Sequence, residues 1–147
     1  MVSILSLTLA AEAYAASPQA GEYLNRGEEL FELGRWNDAR HEFNKAKELL
    51  GPQDKSELAT ADCYLALCAA ELGEYDAVAR LENFLQVYSG SIYLNDVRFA
   101  LAAEACKRND LERAEQYFRA LNYKALSSEQ RAQYDIRMGY IEFLRGD

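Results

Sequence analysis

A short turn element recurs four times along the chain, and it constrains the fold more than any other feature of the sequence. Its copies lie at residues 33–39, 72–77, 108–114 and 145–147. The same place in each copy holds a glycine or an asparagine, at intervals of 39, 36 and 37 residues: Gly34, Gly73, Asn109 and Gly146. Both residue types tolerate a positive φ, which the tight end of a helix commonly requires. The element therefore predicts regularly spaced turns between helices.

Apolar residues at steps of three and four flank each turn, which is the periodicity of an amphipathic α-helix. Before the first turn these positions include Tyr23, Leu24, Leu30 and Phe31. No segment alternates with the period of a β-strand. Since the turns are short, we expect successive helices to run antiparallel as helix pairs.

Two segments carry the capping-box pattern that opens a helix. They are Asp54 with Glu57, and Ser127 with Gln130. The Gly-Pro pair at residues 51–52 predicts the end of the preceding helix. These signals agree with the helix boundaries that the turns suggest.

The apolar and small residues of these units resemble the tetratricopeptide repeat, a family built from helix pairs. The first and third units supply the family's small and aromatic positions at Tyr23, Gly27, Ala39, Phe43, Ala46, Leu101, Ala102, Ala114 and Phe118, and Met138 and Gly139 open the fourth. The resemblance implies an all-α fold, a right-handed α-α superhelix in which antiparallel helix pairs stack as a solenoid. Small residues, among them Gly27 and Gly139, are expected where helix axes approach closely.

The resemblance also divides the chain into units. Repeats are expected at 20–53, 54–90 and 91–126, with 127–147 as the first helix of an incomplete fourth repeat. The long units and residues 81–91 are similar to repeats of bacterial cell-envelope proteins. That similarity implies an exported protein, in the periplasm or cell envelope.

Residues 1–19 form a segment of different composition, either a signal peptide or an N-terminal extension. An apolar run precedes several alanines, and residues 13–15 fit the small-x-small pattern that precedes signal cleavage. The positive residues that open a secretory signal do not occur here. A packed N-terminal helix therefore remains the alternative.

Charge and chemistry exclude several classes of function. Sixteen Lys and Arg against 24 Asp and Glu give a formal charge of −8, which opposes binding to nucleic acid or to anionic lipid. His41 is the only histidine, and no nucleotide-binding or nucleophile motif occurs. The sequence predicts a non-enzymatic protein without cofactor or metal. The three cysteines, Cys63, Cys68 and Cys106, are expected to be buried in helices.

The resemblance implies that the first helices of successive repeats line a concave groove that holds a segment of another protein. The positions expected to bind the partner are Leu24, Glu28, Phe31, Tyr64, Leu67, Phe99, Lys107, Arg137, Tyr140 and Phe143. Such a groove suits a protein or peptide with apolar anchors, and a membrane protein is one candidate partner. Alternatively, several of these apolar residues pack between repeats.

Family members that bind a C-terminal carboxylate use a clamp of Lys, Asn and Arg. The matching positions here do not supply that clamp, and Glu28 and Asp96 would repel a carboxylate. An acidic peptide tail is therefore not expected as the ligand.

The leading hypothesis is a protein–protein interaction scaffold or adaptor, and two alternatives stay open. The final helix carries Ile136, Ile141, Phe143 and Leu144 with no following helix to cover them, which suggests self-assembly into a structural solenoid. The second alternative is that the chain is an accessory domain of a longer enzyme.

Overall fold

The structure is a computed structural model, and it describes residues 17–146. The segment with the expected cleavage pattern, residues 13–15, lies outside the described residues. Residues 17–146 contain seven α-helices, one short 3-10 helix and no strand: α1 (Pro18–Glu32), α2 (Trp36–Leu49), α3 (Lys55–Glu71), α4 (Ala77–Val87), α5 (Leu94–Lys107), α6 (Leu111–Arg119), the 3-10 helix (Tyr123–Ala125) and α7 (Ser128–Arg145). The described part of the chain is therefore all-α, as predicted.

The four predicted turns are confirmed by the backbone. Gly34, Gly73 and Gly146 have φ of 72°, 69° and 76°, and Asn109 has φ of 58°. Each follows the last turn of a helix, and the left-handed conformation ends that helix. No other residue between 17 and 146 has a positive φ.

The helices form two compact units, divided between Leu72 and Gly73. In the first unit α1, α2 and α3 pack on one another. The α1–α2 pair is antiparallel, because Gly27 and Phe43 lie on opposite sides of the Gly34 turn and meet across it. A Cβ at Gly27 would lie 2.7 Å from Phe43 Cζ, so this contact needs a glycine.

Aromatic side chains organise the core of the first unit. The Phe43 ring is fully buried and stacks on Tyr64 of α3, with 4.9 Å between centroids and 9° between planes. Phe31 of α1 meets the same Tyr64 ring edge to face at 5.2 Å. Tyr64 therefore connects all three helices of this unit.

In the second unit α5 packs against α4 and α6, and α7 packs against α6. Phe118 is at its centre and meets Phe99 of α5 and Tyr134 of α7 edge to face, at 6.1 and 5.3 Å. The inner side of α7 contributes Met138 and Ile141 to this core. α7 is thus held on α6 by both apolar and aromatic contacts.

The expectation of a close helix approach is wrong for Gly139. A Cβ at this position would meet nothing within 4 Å. Gly139 is exposed because it lies on the side of α7 away from Met138 and Ile141. The pattern marked a small residue correctly but could not show which side of the helix it occupies.

One of the two predicted capping boxes is confirmed. The Gln130 amide donates to Ser127 Oγ at 3.1 Å, and the Ser127 amide donates to Gln130 Oε1 at 3.0 Å. The Asp54 box is wrong, since Asp54 makes no cap bond to α3. Its carboxylate accepts instead from the Gly51 amide at 2.8 Å and stabilises the preceding turn.

The cysteine prediction is confirmed for Cys63 and Cys68, which are buried in α3. Cys106, near the end of α5, is only half-buried.

Candidate functional site

In the first unit the predicted binding residues are mainly part of the packing. Leu24 exposes only 6% of its surface and lies in the core with Phe43. Leu24 is thus one of the predicted residues that serve the packing of the helices. Phe31 and Tyr64 are half-buried against each other.

The other predicted residues of the first unit are Glu28 and Leu67, and both are half-buried. Burial and the neighbouring charge of Glu32 raise the pKa of the Glu28 carboxyl. The surface here combines one partly desolvated carboxylate with the edges of core residues.

In the second unit, Phe99 is half-buried against Phe118. Lys107 is exposed, and its ammonium pairs with Glu104 at 2.7 Å. These two residues therefore serve packing and a surface ion pair, which contributes little to stability.

The remaining predicted residues lie on α7, where the structure exposes a row of large apolar side chains. Ile136, Tyr140, Phe143 and Leu144 are 70%, 55%, 78% and 50% exposed. Their spacing of three and four residues places them on one side of the helix, here called the outer face of α7. Ile141 was expected to be uncovered with them, but it is buried in the core. α7 is thus apolar on two opposite sides, which is typical of a helix covered on both.

A shallow recess opens beside the outer face. It lies between the α5–α6 turn, which contributes Cys106, Asn109 and Leu111, and the α7 residues Ile136, Arg137, Tyr140 and Ile141. Its volume is about 190 Å³. Since pockets for small molecules usually have roughly 300–1,000 Å³, this recess has room for a side chain rather than a metabolite. We call it the Arg137 recess.

The side chain of Arg137 lines the recess, and one of its guanidinium nitrogens is buried without a hydrogen-bond partner in the described part of the chain. Arg137 Nη1 has no exposed surface and no hydrogen-bond acceptor among residues 17–146. Burial raises the pKa of the neighbouring Cys106 thiol, and the Arg137 charge opposes that rise. The thiol is therefore protonated at neutral pH and does not balance the guanidinium.

Polar interactions fix α7 near both ends. The Ser127 capping box begins the helix. At the other end Arg145 pairs with Glu115 of α6, a carboxylate that also accepts from Arg119 Nε at 2.8 Å. The Glu115 carboxylate is buried, whereas the Arg145 side chain is about half exposed, so solvent reaches one side of this pair. The outer face therefore lies on a helix that is capped at its start and paired with α6 near its end.

No set of three or more His, Cys, Asp and Glu side chains in residues 17–146 is arranged to hold a metal ion. His41 is exposed on α2. None of the helices described combines the length and the apolar character that a membrane-crossing helix needs.

Comparison with known proteins adds no assignment: the chain matches no protein-family model, no curated protein and no solved structure.

The sequence identified all four residues of the outer face, and Arg137 beside them, but not the Arg137 recess. Cys106, Asn109 and Leu111 enter the recess only because the α5–α6 turn lies against α7. Nothing in their local pattern indicates that contact. The apolar residues on both sides of α7 were the available signal for the outer face.

Proposed function

We propose that this protein is a non-enzymatic protein–protein interaction adaptor, and that the outer face of α7 holds a segment of its partner. The observation that carries the proposal is the exposure of Ile136, Tyr140, Phe143 and Leu144 on one side of α7. Contiguous apolar surface of this kind marks interaction sites in folded proteins. Aromatic side chains such as Tyr140 and Phe143 are also frequent hot spots of binding energy.

We further propose that the helix pairs are tetratricopeptide-like repeats that stack as a right-handed superhelix. The four left-handed turns support this, because they end helices at near-regular intervals. The Gly27–Phe43 contact is a second support, since close approach at a small residue is what the repeat pattern requires. In such an array each pair depends on its neighbours for stability.

The proposed role can be tested with one substitution and a matched control. Phe143→Asp places a charge in the centre of the outer face, while Ile92→Asp does the same at a residue that is 87% exposed outside α7. In a capture experiment with immobilised protein, a true partner would bind to the wild-type protein and to Ile92→Asp. It would not bind to Phe143→Asp. The partner would then be purified and its Kd measured by isothermal titration calorimetry against all three proteins.

Equal binding to Phe143→Asp and to the wild-type protein, with circular dichroism showing an intact fold, would refute the assignment of the outer face. Sedimentation velocity of the same three proteins tests the second candidate function, self-assembly. A dimer of the wild-type protein that Phe143→Asp dissociates would identify a second copy as the occupant. A monomer at high concentration would exclude that function.

We propose that the protein acts in the bacterial cell envelope after export. The support is the composition of residues 1–19, with an apolar run and a small-x-small pattern. Mass spectrometry of the native protein should find a mature N-terminus at residue 16. A native protein that begins at Met1 would contradict export through this segment.

A further inference from the structure

The Arg137 recess places a positive charge beside the outer face of α7 and contains no negative charge to balance it. Cys106, Asn109 and Leu111 line the side opposite α7, and none of them is acidic. The chain as a whole has a formal charge of −8. This recess is therefore a local exception to the charge of the molecule.

Two acidic residues of α7, Asp135 and Glu142, interact with groups outside the recess. The Asp135 carboxylate accepts a hydrogen bond from the Tyr123 hydroxyl at 3.0 Å. Glu142 lies close enough to Arg119 of α6 to act with Glu115 in raising the pKa of that guanidinium. Neither carboxylate is among the residues that line the recess.

Arg137 Nη1 is itself buried, so a partner can reach the Arg137 side chain only where it lines the recess. The positive charge there is unfavourable without a negative group beside it, because burial has removed part of its hydration. A guanidinium presents a planar fork of donors, and a carboxylate matches that fork with two parallel hydrogen bonds. Phosphorylated segments are usually bound by clusters of arginine. Since the recess holds one arginine, its chemistry favours a single carboxylate.

The outer face indicates how that carboxylate is presented. Ile136, Tyr140 and Phe143 extend over two helical turns, a length of roughly 10 Å along the axis. A helix that lies along a surface supplies apolar anchors at the same spacing. Gly139 is exposed beside them with no atom within 4 Å of its Cβ position, so another helix has room to approach closely.

We infer that the partner segment is an amphipathic helix whose apolar side covers the outer face of α7 and whose Asp or Glu side chain places its carboxylate on Arg137. This inference rests on the proposed function and adds the chemistry of the partner to it. The acid is a side chain on the partner helix. It is not a terminal carboxylate of the kind that the repeat family's clamp binds.

The test uses a display library of helical peptides with fixed apolar residues at i, i+3, i+4 and i+7 and random residues elsewhere. The library is selected on the full-length protein, and binders retained by Phe143→Asp are discarded. We expect the remaining binders to share an Asp or Glu at one fixed position. The same selection on Arg137→Met should lose that preference.

A selected peptide then gives a quantitative check. Changing its shared Glu to Gln should weaken binding to the wild-type protein by about tenfold, and by less than about twofold on Arg137→Met. Arg137→Met should have an unchanged or higher Tm in the absence of peptide, because it removes an unsatisfied buried donor. A lower Tm would show that the guanidinium is satisfied within the fold, which would overturn the inference.

The two proposals fail in different ways. Binders that depend on Phe143 but show no acidic preference would overturn the carboxylate inference and leave the adaptor function standing. A selection that yields no binder dependent on Phe143 would overturn both. Binders with a basic residue at the shared position would also refute the inference.

Discussion

Two glycines inside helices, Gly27 and Gly139, should respond in opposite ways to the same substitution. At Gly27 an alanine Cβ would lie 2.7 Å from Phe43 Cζ and 2.8 Å from Phe43 Cε1. The Phe43 ring is fully buried and stacked on Tyr64, so it has no free space to move into. At Gly139 an alanine Cβ would meet nothing within 4 Å.

The magnitudes follow from two opposing effects. In a helix interior alanine is favoured over glycine by about 0.5–1 kcal/mol, and this gain applies at both positions. At Gly27 overpacking of the core costs about 1–3 kcal/mol. We therefore expect Gly27→Ala to lower the free energy of unfolding by about 1 kcal/mol and Gly139→Ala to raise it by about 0.5–1 kcal/mol.

Urea unfolding followed by circular dichroism would measure both variants against the wild-type protein. Thermal unfolding should separate the two variants by several degrees, since about 1 kcal/mol shifts Tm by roughly 2–4 °C in a chain of this size. Phe43→Leu combined with Gly27→Ala should show a favourable coupling in a double-mutant cycle, because the smaller side chain relieves the clash. Stabilisation by Gly27→Ala equal to that by Gly139→Ala would refute the close contact of α1 with α2.

Three further predictions test other parts of the structure. Ser127→Ala should lower the free energy of unfolding by about 1 kcal/mol in urea titrations, since it removes the cap of α7, whereas Ser128→Ala, one residue further on, should have a smaller effect. Glu115→Gln should lower the free energy of unfolding by about 2 kcal/mol and make it less dependent on salt, because it weakens the ion pairs with Arg119 and Arg145. A salt dependence like that of the wild-type protein would contradict this ion-pair network. Burial and the hydrogen bond to Glu82 raise the pKa of Tyr117 to about 12. The protonated tyrosine therefore favours the folded state, and this contribution to stability is lost as the pH rises from 10 to 12. Ultraviolet titration of Tyr117→Phe should lack one tyrosine that ionises near 12 in the wild-type protein.

The turns could be predicted from sequence because their requirement is local. A positive φ is tolerated by few residue types, and the chain places Gly34, Gly73, Asn109 and Gly146 where it is needed. The Ser127 capping box was predictable for the same reason. Asp54 shows the limit of such patterns. Its carboxylate could accept from the first amides of α3 or from the Gly51 amide, and in the structure it accepts from Gly51.

Features that depend on which side of a helix faces the core were harder to predict. Leu24 matched a binding position of the repeat family, yet it is buried beside Phe43. Gly139 matched a close-approach position, yet it is exposed. The Arg137 recess could not be predicted, because it forms where the α5–α6 turn meets a helix more than 20 residues further along the chain.

The two ends of α7 are stabilised by different interactions, so ionic strength should affect the stability of one end more than that of the other. The hydrogen bonds of Ser127 and Gln130 are between uncharged groups, so salt hardly affects them. The Arg145–Glu115 pair is ionic, with the arginine side chain about half exposed, and added salt screens it. Rising salt should thus fray α7 from its last turn. Phe143 and Leu144 should then lose their helical positions, while Ile136 stays in the helix.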